Sequence, residues 1–196
     1  VRVIDFNLRT VLDDLSNLNL SQLSKLNYLG YFIKETMRLY PSIPIMGRQT
    51  LQETELENGL ILPKRSQINI HVFDIHRNPK YWESPEEFRP ERFLPENCLK
   101  RHPYAYIPFS AGQRNCIGKS TSLQNIRFSY ICVLSISFNH KGQKYAMQEM
   151  KTLMVVILKH FKILPVIDPK SIVFQVGITL RFKNKIKVKL VRRNCV

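Results

Sequence analysis

Acidic residues are scarce in this chain: 15 Asp and Glu stand against 30 Lys and Arg, a formal charge of +15. The deficit sets the sign of any partner, which should be acidic: nucleic acid, an anionic membrane surface or an acidic protein. Long apolar runs are also lacking. None reaches the ~18 residues of a membrane-spanning helix, and the best candidate, 126–138, is interrupted by Arg127 and several serines. No signal-peptide pattern opens the sequence, because Val1-Arg2-Val3 leads directly to Asp5 and Asn7. On both counts the chain reads as soluble or peripheral. Cysteine is sparse, and Cys98, Cys116, Cys132 and Cys195 form neither a C-x-x-C pair nor a zinc spacing. Disulfides and a structural zinc are therefore not expected, and the environment reads as reducing.

What is present is enough apolar residue for one real core: 44% hydrophobic over 196 residues. Leu8, Val11, Leu12 and Leu15 share one helical face before a break at residues 13–17. Ser21-Gln22-Leu23-Ser24 reads as a cap for the next element. Leu26, Leu29, Ile33, Met37 and Tyr40 then recur every three or four residues, which predicts an amphipathic helix over 26–40, stopped by Pro41 and Pro44. Glu35 and Arg38 lie i, i+3 on that helix and can pair, although most pairs of this kind are surface salt bridges worth little.

Short strands are predicted over 45–75. Asn58-Gly59 marks a hairpin turn, and Gln67 to Val72 alternates polar and apolar residues. His71 and His76 lack a third ligand at useful spacing, so they read as core or capping residues. Leu153, Val156, Leu158 and Phe161 predict a late amphipathic helix closed by Phe161 to Pro165. Strands follow at 172–176 and 179–190. In the last of these, Arg181, Lys183, Lys185, Lys187 and Lys189 alternate with apolar residues, as on a strand with one basic, solvated face. The same segment with Arg192 and Arg193 supports an alternative reading, a basic β-rich module for nucleic acid or anionic lipid. The interleaved aromatics that nucleic-acid stacking would want are nearly absent there.

The most informative stretch is Phe109-Ser110-Ala111-Gly112-Gln113-Arg114-Asn115-Cys116-Ile117-Gly118, of the form F-x-x-G-x-R-x-C-x-G. Each fixed position has a physical task if the Cys116 thiolate ligates a heme iron. Gly112 permits a positive φ in a tight turn. Arg114 offers a cation for a propionate. Gly118 lets a following helix approach, so that its N-terminal amides favour the thiolate over the thiol. Phe109 can shield the sulfur from water. A lone cysteine is usually just a small buried side chain, but five fixed positions at fixed spacing outweigh that reading.

This stretch resembles the heme-binding signature of the cytochrome P450 family. Lys34-Glu35-Thr36-Met37-Arg38-Leu39-Tyr40-Pro41 resembles the family's K-E-T-x-R-L-x-P segment, and Pro90-Glu91-Arg92-Phe93 its P-E-R-F segment. The progression His76-Arg77-Asn78-Pro79, Trp82, Pro85 to Phe88 is similar to the text between them. The details look most like the microsomal, fatty-acid-hydroxylase-like branch. The resemblance implies a mixed α and β, mainly helical fold, the C-terminal heme-binding portion of the P450 fold with small peripheral sheets. Its parts would be the E-x-x-R helix 26–40, strands 45–75, a meander with P-E-R-F over 76–95, the ligand loop 109–118, an anomalous insertion 119–141, and a helix with terminal strands over 142–196.

The resemblance further implies heme b, with Cys116 as catalytic residue and axial iron ligand. Phe109, Gly112, Arg114, Gly118, Arg48 and Ala146 would be cofactor contacts, and Glu35, Arg38 and Arg92 a buried structural ion network. The implied reaction is monooxygenation, oxygen insertion into C–H bonds of a lipophilic substrate with electrons from an NADPH-dependent reductase. It would take place on the cytoplasmic face of the endoplasmic reticulum membrane, through an N-terminal anchor absent from these residues, with no nucleic acid as partner.

Two departures qualify this. After Cys116-Ile117-Gly118 the family text resumes only at Gly142-Gln143-Lys144-Tyr145-Ala146. The segment 119–141 exceeds the ~12–15 residues of ordinary loops. It reads foremost as a retained intron, since Gly-Lys-Ser can be encoded across a splice-donor sequence and the family text resumes in frame. A strand-forming addition and a genuine extra loop are the alternatives. In addition, no stretch resembles the family's oxygen-activating helix, so the chain is expected to be an incomplete fragment, inactive alone.

Overall fold

The computed structural model describes residues 20–112, 142–168 and 171–193. The first predicted helix, through Leu8 to Leu15, lies outside them, as do Arg114, Cys116, Gly118, Cys132, Cys195 and the segment 119–141.

Ser21 to Ser24 do not cap a helix. They belong to one, α1 (Leu20–Lys25), in which the Ser24 hydroxyl donates back to the Ser21 carbonyl at 2.6 Å. Side-chain hydroxyls bonded locally in this way do not reach the amides of the next helix. That helix, α2 (Asn27–Leu39), starts after Leu26 without a side-chain cap. Its apolar positions match the helical period, and it buries Leu29, Ile33 and Leu39 together with Glu35 and Arg38.

After Pro41 and Pro44 the chain becomes extended. Strand β1 (Ile45–Gln49) pairs antiparallel with β4 (Gln67–His71), Arg48 standing opposite Ile68. Between them, β2 (Thr54–Glu55) and β3 (Ile61–Leu62) form a hairpin whose turn holds Gly59 at φ 79°, a conformation that favours glycine. Residues 72–75, predicted as strand, are instead a short helix α3 (Val72–Ile75), with the Phe73 N–H bonded to the Pro44 carbonyl at 3.1 Å. A meander with a 3-10 turn (Pro90–Phe93), α4 (Pro95–Cys98) and a second 3-10 turn (Pro103–Ala105) leads to residues 106–112.

Helix α5 (Gly142–His160) differs from the expected stripe. Val155 and Leu158 are buried against Leu23, Leu26, Leu29 and Ile33, with Met147, Met150 and Met154 packed on the same cluster. Leu153 and Val156, predicted on the core face, are 43% and 48% exposed. The cause is a helix apolar on more than one side, from which periodicity alone cannot choose the core face. Nor does Phe161 to Pro165 merely close the helix. It is strand β5 (Phe161–Pro165), antiparallel to β8 (Val188–Arg192).

The predicted strand over 179–190 is divided. Its start, β7 (Leu180–Phe182), forms a hairpin with β6 (Phe174–Val176), while its end enters β8 in another sheet. The Lys183 N–H closes the hairpin on the Val173 carbonyl at 2.8 Å, and residues 183–187 carry the chain between sheets. The alternating cations therefore do not lie on one strand. Among the described residues Cys98 is a free thiol, and no helix is long and apolar enough to cross a membrane.

Leu29, 1% exposed between α2 and α5, should be among the costliest core positions. Leu29→Ala is expected to destabilise the fold by about 3 kcal/mol, read as a lower urea midpoint at unchanged m-value.

Candidate functional site

The site is built on the buried end of α2. Glu35 and Arg38 are both 0% exposed, and helical spacing brings them side by side. Arg38 Nε lies 2.7 Å from Glu35 Oε2, and Nη2 lies 2.9 Å from Oε1, a bidentate pair. The remaining guanidinium hydrogens reach three backbone carbonyls of the meander. Nη1 donates to His76 at 2.9 Å and to Pro85 at 2.7 Å, and Nη2 donates to Glu87 at 3.1 Å. All five N–H donors of Arg38 are thus used. Glu35 Oε1 also accepts the Arg89 N–H at 2.8 Å, and Arg92 Nε stands 3.4 Å from it. Arg92, 8% exposed, is anchored by donating to the Ser84 carbonyl at 2.8 Å. The structure therefore brings Glu35, Arg38 and Arg92 together.

Aromatic packing closes the node. Trp82, 1% exposed, lies with its ring centre 5.0 Å from the Arg38 guanidinium carbon and 4.0 Å from that of Arg101. Phe93 and Tyr106 pack edge to face at 4.8 Å. Tyr28 ties α2 to the 3-10 turn by donating to Glu91 at 2.8 Å; burial, then the Glu91 carboxylate, push its pKa up to about 12.

His76 is fully buried beside the node. Its Nε2 accepts the Ile107 N–H at 2.9 Å, and its Nδ1 lies 3.3 Å from the Arg38 carbonyl. Burial pulls its pKa down to about 4, the neighbouring Arg38 charge adding to the effect. The reading of His76 as core or cap named the position without its link to Ile107. The link joins residues 31 apart, and the neutral Nε2 acceptor it needs has no local sequence signal. His71 is exposed, 3.2 Å from Asp74.

Beyond Ile107 the backbone turns. The Ser110 N–H donates to the Ile107 carbonyl at 3.1 Å, and Ser110 and Gly112 take φ of 65° and 79°. Among the described residues a Cβ on Gly112 would meet nothing within 4 Å; its positive φ is by itself a conformation that favours glycine. The Ser110 hydroxyl accepts from Arg48 Nη2 at 2.6 Å, which fixes the turn to β1. Over this turn opens a cavity of about 560 Å³, its walls including Met37, Met46, Arg48, Phe109, Ser110, Ala146 and Leu153. Three of the expected cofactor contacts, Arg48, Phe109 and Ala146, thus come from β1, the turn and α5 to one space. Gly112 lies close by in sequence. Arg114, Cys116 and Gly118 fall outside the described residues.

This arrangement of helices and small antiparallel sheets around a buried ion network is the fold of the C-terminal part of a P450 heme domain. The structure matches the crystal structure of the cytochrome P450DA heme domain with a TM-score of 0.79 over 98% of this chain and 37% of that one, at 20% identity. Residues 4–140 match the Cytochrome P450 family model. The chain is 86% identical over 186 residues to "Probable cytochrome P450 4p2" of Drosophila melanogaster, covering 95% of this chain and 31% of that protein. It is 41% identical over 172 residues to human "Cytochrome P450 4V2", covering 88% and 28%. The chain belongs to the cytochrome P450 family, and it spans about a third of the length of the curated relatives it matches.

Two outcomes follow from the node. Removing Arg38 strands a buried carboxylate, so Arg38→Ala is expected to cost about 3–5 kcal/mol. The double variant with Glu35→Ala should cost clearly less than the sum of the two, as denaturant midpoints in a double-mutant cycle would read. The unfolded chain, with His76 near its ordinary 6.5, takes up a proton that the folded chain refuses until about pH 4. Stability from this group is complete above pH 6.5 and is lost as pH falls toward 4, by about 3 kcal/mol. His76→Gln should flatten that part of the stability–pH curve.

Proposed function

We propose that these residues form the thiolate-ligand side of a heme monooxygenase, in which Cys116 would hold the heme iron. Membership of the family implies heme b as the cofactor. The observation that carries the residue assignment is the mainly apolar cavity walled by Arg48, Phe109 and Ala146, directly over the turn that leads to Cys116. Its volume lies within the ~300–1,000 Å³ of small-molecule and cofactor sites. Its walls are mainly apolar, with two charged side chains, Arg48 and Glu149; the Arg48 guanidinium suits the carboxylate of a flat apolar group bound on its side of the cavity.

When bound with a cysteinate ligand, heme supplies the oxygen-activating chemistry by which such proteins insert oxygen into C–H bonds. The chain's own residues bind and orient. Phe109 and Met37 keep water from the site, Arg48 offers a cation to a carboxylate, and Arg114 would do so from beside the sulfur. Gly112 takes the positive φ that a tight turn asks for, and Gly118 would allow close approach of the chain that follows Cys116. Glu35, Arg38 and Arg92 touch no reacting atom; they hold the meander against α2 so that the turn over residues 107–112 starts from a fixed place.

The complete reaction is assigned to the whole protein, with a lipophilic substrate and an NADPH-dependent reductase as electron donor. Membrane attachment, on the cytoplasmic face of the endoplasmic reticulum, would come from an N-terminal anchor outside these residues. The basic surplus, +15 in formal charge, suits an acidic redox partner.

The test is heme reconstitution followed by absorption spectroscopy. Thiolate-ligated heme is expected for the chain and for Cys98→Ser, and its loss for Cys116→Ser at unchanged secondary structure. The same spectrum from Cys116→Ser would refute the assignment. Heme and reductant should give no substrate turnover with this chain alone; turnover would show that it holds more of the machinery than proposed.

A further inference from the structure

We propose that His76 is a positioning residue for the ligand turn. As a neutral imidazole protonated on Nδ1, it bridges the C-terminal end of α2 to the amide of Ile107 and fixes where residues 107–112 leave the core. The proposal deepens the assignment of Cys116 as axial ligand and rests on it.

The last carbonyls of a helix have no partner within it. At the end of α2 the Tyr40 N–H turns back to the Thr36 carbonyl at 2.8 Å, and the Arg38 carbonyl meets His76 Nδ1 at 3.3 Å. On the other side of the ring the Ile107 N–H points at Nε2, 2.9 Å away. An amide N–H only donates and a carbonyl only accepts, so Nε2 must hold its lone pair and Nδ1 must carry the proton. The two contacts define one tautomer and exclude the other. They also exclude the imidazolium, which would set an Nε2 proton against the Ile107 proton. The charges nearest the ring, Arg38 and Arg77, are both cationic and oppose protonation as well.

The residue before Ile107 repeats the attachment. Tyr106 lies 5.1 Å from the His76 ring, centre to centre, and donates its hydroxyl to the Lys34 carbonyl at 2.9 Å. Lys34 and Arg38 are one helical turn apart, so consecutive residues of the incoming chain are tied to consecutive turns of α2. Ile107 is then the fixed point on which the Ser110 turn closes. A ring that only filled space would give bulk but no registration, because the Ile107 amide would be buried without an acceptor.

The experiment compares the chain with His76→Phe, which keeps the ring and loses both bonds, and His76→Gln, whose amide can donate to Arg38 and accept from Ile107. Amide hydrogen exchange on the heme-free chain is followed at Ile107 and, as a reference for global opening, at Val155. His76→Phe should speed exchange at Ile107 by at least about tenfold relative to Val155, and His76→Gln should restore most of the protection. Reconstituted with heme, His76→Phe should lose part of the thiolate-ligand spectrum and His76→Gln should regain it. Unchanged exchange at Ile107, a rise shared equally by Val155, or a full thiolate spectrum in His76→Phe overturns the proposal. If the unsubstituted chain gives no thiolate-ligated heme, the Cys116 assignment fails and the positioning role falls with it, while the exchange data still report whether the bridge exists.

Discussion

The structure depends on one fully satisfied guanidinium. Desolvating a cation is costly unless every hydrogen finds an acceptor, and Arg38 meets that condition with one carboxylate and three main-chain carbonyls. Two of its bonds stay on α2; the others reach the meander at residues 76, 85 and 87. A stretch with little regular structure is thereby fixed to a helix at its start and again near its middle. Arg92 and the Arg89 amide complete the coordination of Glu35 from the same meander. Hydrophobic packing alone would leave this stretch free to slide, because apolar contact is not directional. The ion network supplies direction.

Legibility in the sequence followed physical locality. Helix α2 was readable because its apolar spacing, its flanking prolines and the Glu35–Arg38 pair all lie within one short window. The hairpin at Gly59 was readable because a positive φ leaves a residue signature. Features set by distant partners were not. The core face of α5 depends on which of its apolar sides meets α1 and α2. The division of the predicted strand over 179–190 depends on β5 and β6, which offer separate edges to its two ends. For residues 72–75 the alternation stops within one residue of the strand end at His71, and nothing local marked the change to helix. Of the candidate site, Arg48, Phe109 and Ala146 were legible only through the resemblance to a family, since no local pattern says that β1, a turn and α5 share one cavity.

Helix α5 links the two halves of this picture. Its Met147, Met150 and Val155 side rests on the α1–α2 core, and its Ala146, Glu149 and Leu153 side lines the cavity. The element that seals the core therefore also forms a wall of the site. The segment 119–141 precedes this helix, and α5 packs against α1 and α2 all the same. Its docking is explained by its own apolar residues, and by the Lys151 ammonium, which donates to the Leu23 carbonyl at 3.1 Å.

The three acceptors that Arg38 takes from the meander are all backbone carbonyls. No point substitution can delete a carbonyl, and even proline keeps one. Positions 76, 85 and 87 can therefore exchange side chains without breaking this part of the lock, provided the chain still traces the same path. The node is robust to mutation on its receiving side and fragile on its donating side, where Arg38 alone supplies the hydrogens. Side-chain variation at Pro85 and Glu87, which meet Arg38 only through their carbonyls, leaves these bonds in place, whereas Arg38 itself tolerates almost none.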